Sequence, residues 1–415
     1  MVAEPFDLDP RTIDLITPER YERDGYPHDE WTWLRANAPV FWYERPNFDP
    51  FWAITKHADI VEIGKRPDDF LIEPRIAIFA NNVPVDDQPM RHLMTMDAPD
   101  HRKFRNVISK RFTPRMVKQW EPKVRAITRR TLDEASEKPE CDFVEDVAAP
   151  ITIAVIAEML GLPRADWPLL FRLTNQITTP EDPEFQEGNT ALETLDRARE
   201  ELFRYFQELT AERRKRPTDD LVSAIANAQV DGKPLEPVEL LSFYLLLVIA
   251  GNETTRNAMT GGMLAFLDAP AEWEKLVEDP TLIDPAMEEI VRWSTPVIQL
   301  ARTASRDVEI HGQNIREGQS VCLFYASGNR DEEIFSDPFQ FRIDRRPNEH
   351  VAFGRGEHSC LGAHLARLEL RCLFEQFRDR LKAIEAAGPF VRVRSSFVGG
   401  IKRAPIRWTL APAQD

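Results

Sequence analysis

Between residues 98 and 295, apolar side chains recur at helical spacing with few interruptions, and this constrains the fold more than any other feature of the chain. The spacing predicts helices over Asp100–Phe112, Pro114–Glu137, Ala149–Leu160, Leu192–Lys215 and Pro237–Phe266. Short β signals lie outside this block, at Val40–Tyr43, Phe51–Ile54, Val308–Ile310 before the turn His311-Gly312, Ser320–Tyr325 and Ile401–Leu410. Strands divided between the two ends, with the helices between them, predict one interlocked body over 1–415. The expected fold class is mainly α with a small β region: β-rich near 39–55, 297–325 and 390–410, helix-rich over 98–295 and 361–381.

Composition narrows the function. Of 415 residues, 42% are hydrophobic, enough for a large core. A net charge of −16 argues against general nucleic-acid binding, which needs surplus Lys and Arg. Four cysteines make no disulfide framework, and no CxxC pair signals zinc. The first thirty residues lack the basic and apolar regions of a signal peptide. The longest apolar run, Phe243 to Ala250, falls well short of the roughly 20 residues of a membrane span. The expectation is a cytoplasmic protein with no membrane anchor. Charge is uneven: residues 101–130 hold eleven Lys or Arg against Glu121 alone, a local +10 that leaves −26 elsewhere. Such a segment is either a solvated helical face or a docking patch for an acidic macromolecule.

Cys141, Cys322 and Cys372 read as small buried hydrophobes. Cys360 stands in a different setting, His350-Val-Ala-Phe-Gly-Arg-Gly-Glu-His-Ser-Cys360-Leu-Gly-Ala-His-Leu-Ala-Arg367. Gly354, Gly356 and Gly362 permit positive φ and close backbone approach to something flat. Leu361, Leu365, Leu368, Cys372, Leu373 and Phe377 then mark an amphipathic helix, whose positive end favours thiolate at Cys360. Elsewhere, the apolar run Leu245–Ala250 is interrupted by Gly251-Asn252-Glu253-Thr254-Thr255-Arg256. A mid-helix Gly alone costs about 1 kcal/mol, and departures from local rules of this kind mark functional positions.

Phe353-Gly354-x-Gly356-x-His358-x-Cys360-x-Gly362 resembles the haem-thiolate signature of the cytochromes P-450. The resemblance implies the triangular helical prism of that family and haem b (iron protoporphyrin IX) with the Cys360 thiolate as axial ligand. Phe353, Gly354, Gly362 and Ala250 would contact the cofactor. Gly251-x-Glu253-Thr254 resembles the segment crossing the distal haem face, where Glu253 and Thr254 would relay protons and Gly251 would leave room for O2. Glu289-x-x-Arg292 is a weak motif alone, but about seventy residues before the cysteine it is similar to the family's structural ion pair, with Arg345 as third member. His101 and Arg105, Arg302, and His358 are implied propionate contacts, four cations for two carboxylates.

The implied reaction is monooxygenation, with O2 as cosubstrate and one oxygen atom inserted into a C–H bond. Ile249, Val297, Phe397, Val398 and the segment 72–92 would line the substrate pocket. The named positions are nearly all apolar, so a hydrophobic small molecule (a terpenoid, steroid or branched or linear lipid) is the expected substrate. Electrons would come from a separate ferredoxin and its reductase, docking on segment 101–130 at the Cys360 side. Two other readings are a peroxide-driven peroxygenase, whose known forms lack the acid–alcohol pair, and a haem-binding protein without enzymatic activity.

Overall fold

The computed structural model describes residues 8–78, 92–180 and 182–413. Its axis is the central helix Pro237–Asp268, 32 residues long. Pro237 occupies the first turn, and a reciprocal capping box between Glu236 and Glu239 satisfies the opening N–H groups. Ala149–Leu160, Trp167–Thr178, Ile283–Ser294 and Ala363–Arg380 all pack on it. The central helix is long and apolar enough to cross a membrane by composition alone, yet most of its apolar window is buried inside the protein. The expected helices appear within a few residues of their bounds: Asp100–Ile108 continued by a 3₁₀ turn to Phe112, Pro114–Ala135, Ala149–Leu160 and Ala191–Lys215.

Close approach of helices explains the central glycines. A Cβ at Gly262 would lie 2.8 Å from Ile290 and 2.9 Å from Phe374, so helices Ile283–Ser294 and Ala363–Arg380 can seat only against bare backbone. At Gly251 a Cβ would meet Ile156 at 3.1 Å. Packing against helix Ala149–Leu160 therefore also favours a small residue at Gly251.

The main sheet draws on both ends of the chain: β1 (Val40–Tyr43), β2 (Phe51–Ile54), β3 (Phe70–Leu71), β4 (Gln299–Ala304) and β5 (Ser320–Phe324), in the order β1-β2-β5-β4-β3. Only β2 and β5 run parallel. A second sheet joins Leu381–Ala386 and Pro405–Leu410 to Glu140–Asp142, a strand inside the block that reads as helix in sequence. Its pairing with Pro405–Leu410 is made across more than 260 residues, so no local pattern announces it.

The connection from β5 to the cysteine is irregular, and one carboxylate holds it. Glu289 is fully buried and receives both arms of Arg292, at 2.7 Å each. Arg345 Nε donates to the same carboxylate at 3.1 and 3.2 Å, as do Arg342 N at 2.9 Å and Asn348 Nδ2 at 3.1 Å. Arg292 also reaches the carbonyls of Asn329 and Pro338, and Arg345 reaches those of Ser336 and Asp337. Replacing Glu289 by Gln leaves two buried guanidinium groups without their counter-charge, and should lower the unfolding free energy by about 3–5 kcal/mol. Urea unfolding followed by circular dichroism measures this, and wild-type stability in Glu289→Gln would contradict it.

Candidate active site

Cys360 closes a backbone loop. Its N–H donates to Phe353 O at 2.8 Å, and Gly354 N donates to Val351 O at 2.8 Å. Gly354 and Gly356 have φ of +68° and +79°, and a Cβ on Gly356 would fall 1.8 Å from Gly64 O. The helix begins at Ala363, two residues later than the expected start, so Cys360 precedes it rather than opening it. The Gly362 and Ala363 N–H groups still face the sulfur and favour its ionised form. Phe353 lies between Arg367, 4.5 Å from its centroid, and the His350 ring at 5.6 Å. Both partners are anchored on Glu288: His350 Nε2 at 3.0 Å and Arg367 Nε at 2.5 Å.

Cys360 is exposed, although burial is the main influence on its thiol and pushes its pKa up. Both hold when the open surface faces an interior cavity. The central helix carries an open stripe of its own. Its buried run is broken by Leu246, Ile249, Ala250, Gly251 and Thr254, all partly or fully open and sharing one helical face. Ile249 and Leu361, the residue after Cys360, pack against the same apolar cluster. Residues 296–299 pair with residues 397–399. Ile298 N donates to Phe397 O and Gly399 N to Pro296 O, while Val297 and Val398 form an antiparallel bridge. The structure thus brings Val297, Phe397 and Val398 together. Of segment 72–92, residues 79–91 lie outside the described residues; Ile76 and Ile78 are hydrogen-bonded to Ala301 and Gln299 of β4.

The acid and the alcohol diverge. Thr254 is half-buried and its hydroxyl donates to Ala250 O at 2.9 Å. Glu253 is buried and paired with Arg256, and no hydrogen bond joins it to Thr254. Arg256 was not among the expected site residues. Its signal was nonetheless present, since Glu253-x-x-Arg256 repeats the spacing of Glu289-x-x-Arg292.

Four basic side chains gather beside the cysteine loop. The His101 and His358 rings lie 4.0 Å apart, Arg105 Nη2 donates to Ser359 O at 2.8 Å, and Arg302 Nη1 donates to Ala301 O at 2.7 Å. Among the described residues, the carboxylate in hydrogen-bond reach of them is Glu357, 3.1 Å from His101 and shared with Arg102, with Asp97 a weaker neighbour of His101. Burial, with His101 and Arg302 adding to it, pushes His358 down to about 3. Burial also lowers His101 and Arg105. His358 Nε2 has no hydrogen-bond partner among the described residues. Such a cluster fits two further carboxylates, as haem propionates would supply. Among the described residues no group of three or more His, Cys, Asp or Glu could hold a metal ion. An iron at Cys360 would therefore take its other ligands from a cofactor, and a metal-bound thiol loses its proton despite burial.

An accessible cysteine facing a cavity, beside basic groups short of anions, defines a site of the haem-thiolate class. Comparison with known proteins agrees. The Cytochrome P450 family pattern matches residues 19–382, and the chain belongs to that family. It is 38% identical over 413 residues to a steroid C26-monooxygenase of Rhodococcus jostii (strain RHA1), covering 97% of this chain and 86% of the relative. It is 36% identical over 414 residues to a methyl-branched lipid omega-hydroxylase of Mycobacterium tuberculosis (strain ATCC 25618 / H37Rv), covering 97% and 95%. The crystal structure of Mycobacterium marinum cytochrome P450 CYP268A2 in complex with pseudoionone superposes with a TM-score of 0.89 at 37% identity, covering 98% of this chain and 100% of that one. The chain is thus a P450 monooxygenase, and its family implies haem with a cysteine thiolate ligand, and O2.

If the four bases hold the propionates, Arg302→Leu should speed haem transfer to apomyoglobin by about ten- to a hundredfold, since a hydrogen bond to a charged group is worth about 1.5–3 kcal/mol. An unchanged rate would remove Arg302 from the haem site.

Proposed function

We propose that this P450 hydroxylates a C–H bond of a steroid or a branched, isoprenoid-like lipid, with electrons from a separate ferredoxin and its reductase. The observation that carries the reading is the open stripe of the central helix, whose side chains at Leu246, Ile249 and Ala250 are apolar. With Val297, Phe397 and Val398 they offer hydrocarbon surface and no charge, so binding free energy comes from burial at about 25 cal/mol per Å². The relatives named for steroid, methyl-branched lipid and pseudoionone support this substrate class.

Cys360 holds the iron, with Phe353, Gly354, Gly362 and Ala250 against the ring, and His101, Arg105, Arg302 and His358 hold the propionates. The haem, when bound, activates O2 and transfers one of its oxygen atoms to carbon. The protein's own contributions are to exclude water, to place the substrate C–H bond, and to present protons. Thr254 presents its hydroxyl from the cavity wall and Glu253 supplies the exchangeable proton behind it. The presence of this pair favours O2-dependent turnover over the peroxide-driven alternative.

The carbon monoxide difference spectrum of the reduced holoprotein should show the strongly red-shifted Soret band of thiolate ligation, lost in Cys360→Ser. Thr254→Ala should keep that band and the substrate-induced spin shift while product per electron falls by about tenfold or more. A band indifferent to Cys360→Ser would sink the reading.

The docking patch is smaller than residues 101–130 suggest. Arg102, Lys103, Arg111, Lys123, Arg125, Arg129 and Arg130 all have acidic partners. Lys110, Arg115 and Lys118 are exposed and have no ion pair among the described residues. These three form the patch for an acidic ferredoxin. Lys110→Glu with Lys118→Glu should raise the KM for ferredoxin about tenfold at low salt, and the difference should shrink as salt screens it. Equal KM values at low salt would exclude this face.

A further inference from the structure

Glu253 and Arg256 form a buried ion pair, each 2% exposed, inside the central helix. An apolar pair of similar volume is commonly as stable there, so stability alone does not explain it. The pair is also incompletely satisfied. Among the described residues, Glu253 Oε2 and Arg256 Nε have no hydrogen-bond partner. Native interiors leave few such atoms. Glu289 with Arg292 shows the contrast, since that carboxylate is saturated by four donor residues.

Arg256 has a second contact that leaves the central helix. Its Nη1 donates to Asn175 Oδ1 at 2.9 Å, and Asn175 is itself 2% exposed on helix Trp167–Thr178. A turn away, Asn252 Nδ2 donates to Thr174 Oγ1 at 3.1 Å, and Asn252 Oδ1 accepts from Thr152 Oγ1 at 2.7 Å. Two buried polar bonds therefore seat helix Trp167–Thr178 on the central helix beside the proposed proton-handling acid. We propose that Arg256, held by Asn175, is a positioning residue for Glu253, so that the seating of helix Trp167–Thr178 governs where that carboxyl presents its proton.

The inference rests on the role given to Glu253 above. At rest Glu253 is the carboxylate of this pair; it takes a proton from a solvent hydronium ion when it swings away from Arg256, and is a carboxylate again once it has passed that proton on. With Arg256 fixed by Asn175, the carboxyl can swing from its bond and return to it. Without Arg256 the buried carboxyl has no counter-charge and no fixed starting place. Product formation and hydrogen peroxide release both consume two electrons and two protons per O2. A rise in peroxide per electron therefore reports a misplaced proton rather than a missing electron.

The test compares holoenzymes of Glu253→Gln, Arg256→Gln, Arg256→Lys and Asn175→Ala with wild type, using a [2Fe–2S] ferredoxin, its reductase and NADH. The substrate probe is pseudoionone or cholesterol, whichever gives the spin shift. Arg256→Gln should cut kcat and product per NADH by about tenfold, with KM and the spin-shift Kd within about twofold of wild type. Arg256→Lys should recover most of the coupling, and Asn175→Ala should lose about two- to fivefold. The Glu253→Gln/Arg256→Gln double variant should be no worse than either single one, because both act through one group. Wild-type coupling in Glu253→Gln overturns the role of the acid, and the proposal falls with it. Uncoupling in Glu253→Gln with wild-type coupling in Arg256→Gln and Asn175→Ala overturns the positioning alone. An additive double variant, or a parallel loss of substrate affinity, does the same.

Discussion

The burial of the Glu289 carboxylate is the constraint from which the site's geometry follows. An ionised carboxylate without exposure is tolerable only when its lone pairs are filled by cations and N–H groups. Here they are filled by Arg292 from the same helix and by Arg345, Arg342 N and Asn348 from the irregular stretch before the cysteine. That stretch has no ladder of its own hydrogen bonds, so its course is set by donors converging on one anion. Glu288, the preceding residue, extends the anchorage to His350 and Arg367, and they flank Phe353, whose carbonyl receives the Cys360 N–H. The position of the sulfur is thus determined from helix Ile283–Ser294, outside its own loop.

Two pairs with the same spacing separate structure from chemistry. Glu289 and Arg292 are fully buried and fully partnered, and nothing in their surroundings invites a change of partner. Glu253 and Arg256 are almost as buried, yet each keeps an atom without a partner. Sequence cannot tell the pairs apart, because spacing reports a shared helical face and not what lies opposite it. Hydrogen-bond satisfaction does tell them apart, since an unfilled acceptor in a low-dielectric interior is costly to keep.

How far the fold was legible follows the range of the interactions. Val40–Tyr43, Phe51–Ile54 and Ala149–Leu160 were read to the residue because alternation and helical spacing are local signals. Helix Trp167–Thr178 was not delimited, and it carries Asn175 and Thr174, the polar residues that later bear on the acid. Strand Glu140–Asp142 was invisible because its partner lies at the other end of the chain. At the site, the cysteine loop was legible as residues at fixed spacing, and the four bases only through the family resemblance. The direction of Glu253 was not, because adjacent helical positions diverge by about 100°, and which one faces the cavity depends on packing. The basic segment misled in a similar way, since its acidic partners (Asp219, Asp231, Glu357, Glu375) are supplied from other parts of the chain.

Two electrostatic imbalances remain side by side in the protein alone, and they have opposite signs. Burial drives the Cys360 thiol toward its neutral form, against the pull of Gly362 N–H, Arg105 and Arg367. Burial and mutual repulsion drive His358 toward its neutral form, with His101 and Arg302 as the repelling neighbours. A cation at the sulfur would relieve the first, and anions among the bases would relieve the second. A simple metal ion would correct the thiol while worsening the repulsion among the bases, and a free carboxylate would do the reverse. One ligand with a metal centre and two peripheral carboxylates corrects both. The charges beside Cys360 therefore suit the haem that the family implies, with the cysteine and the bases answering to different parts of one ligand.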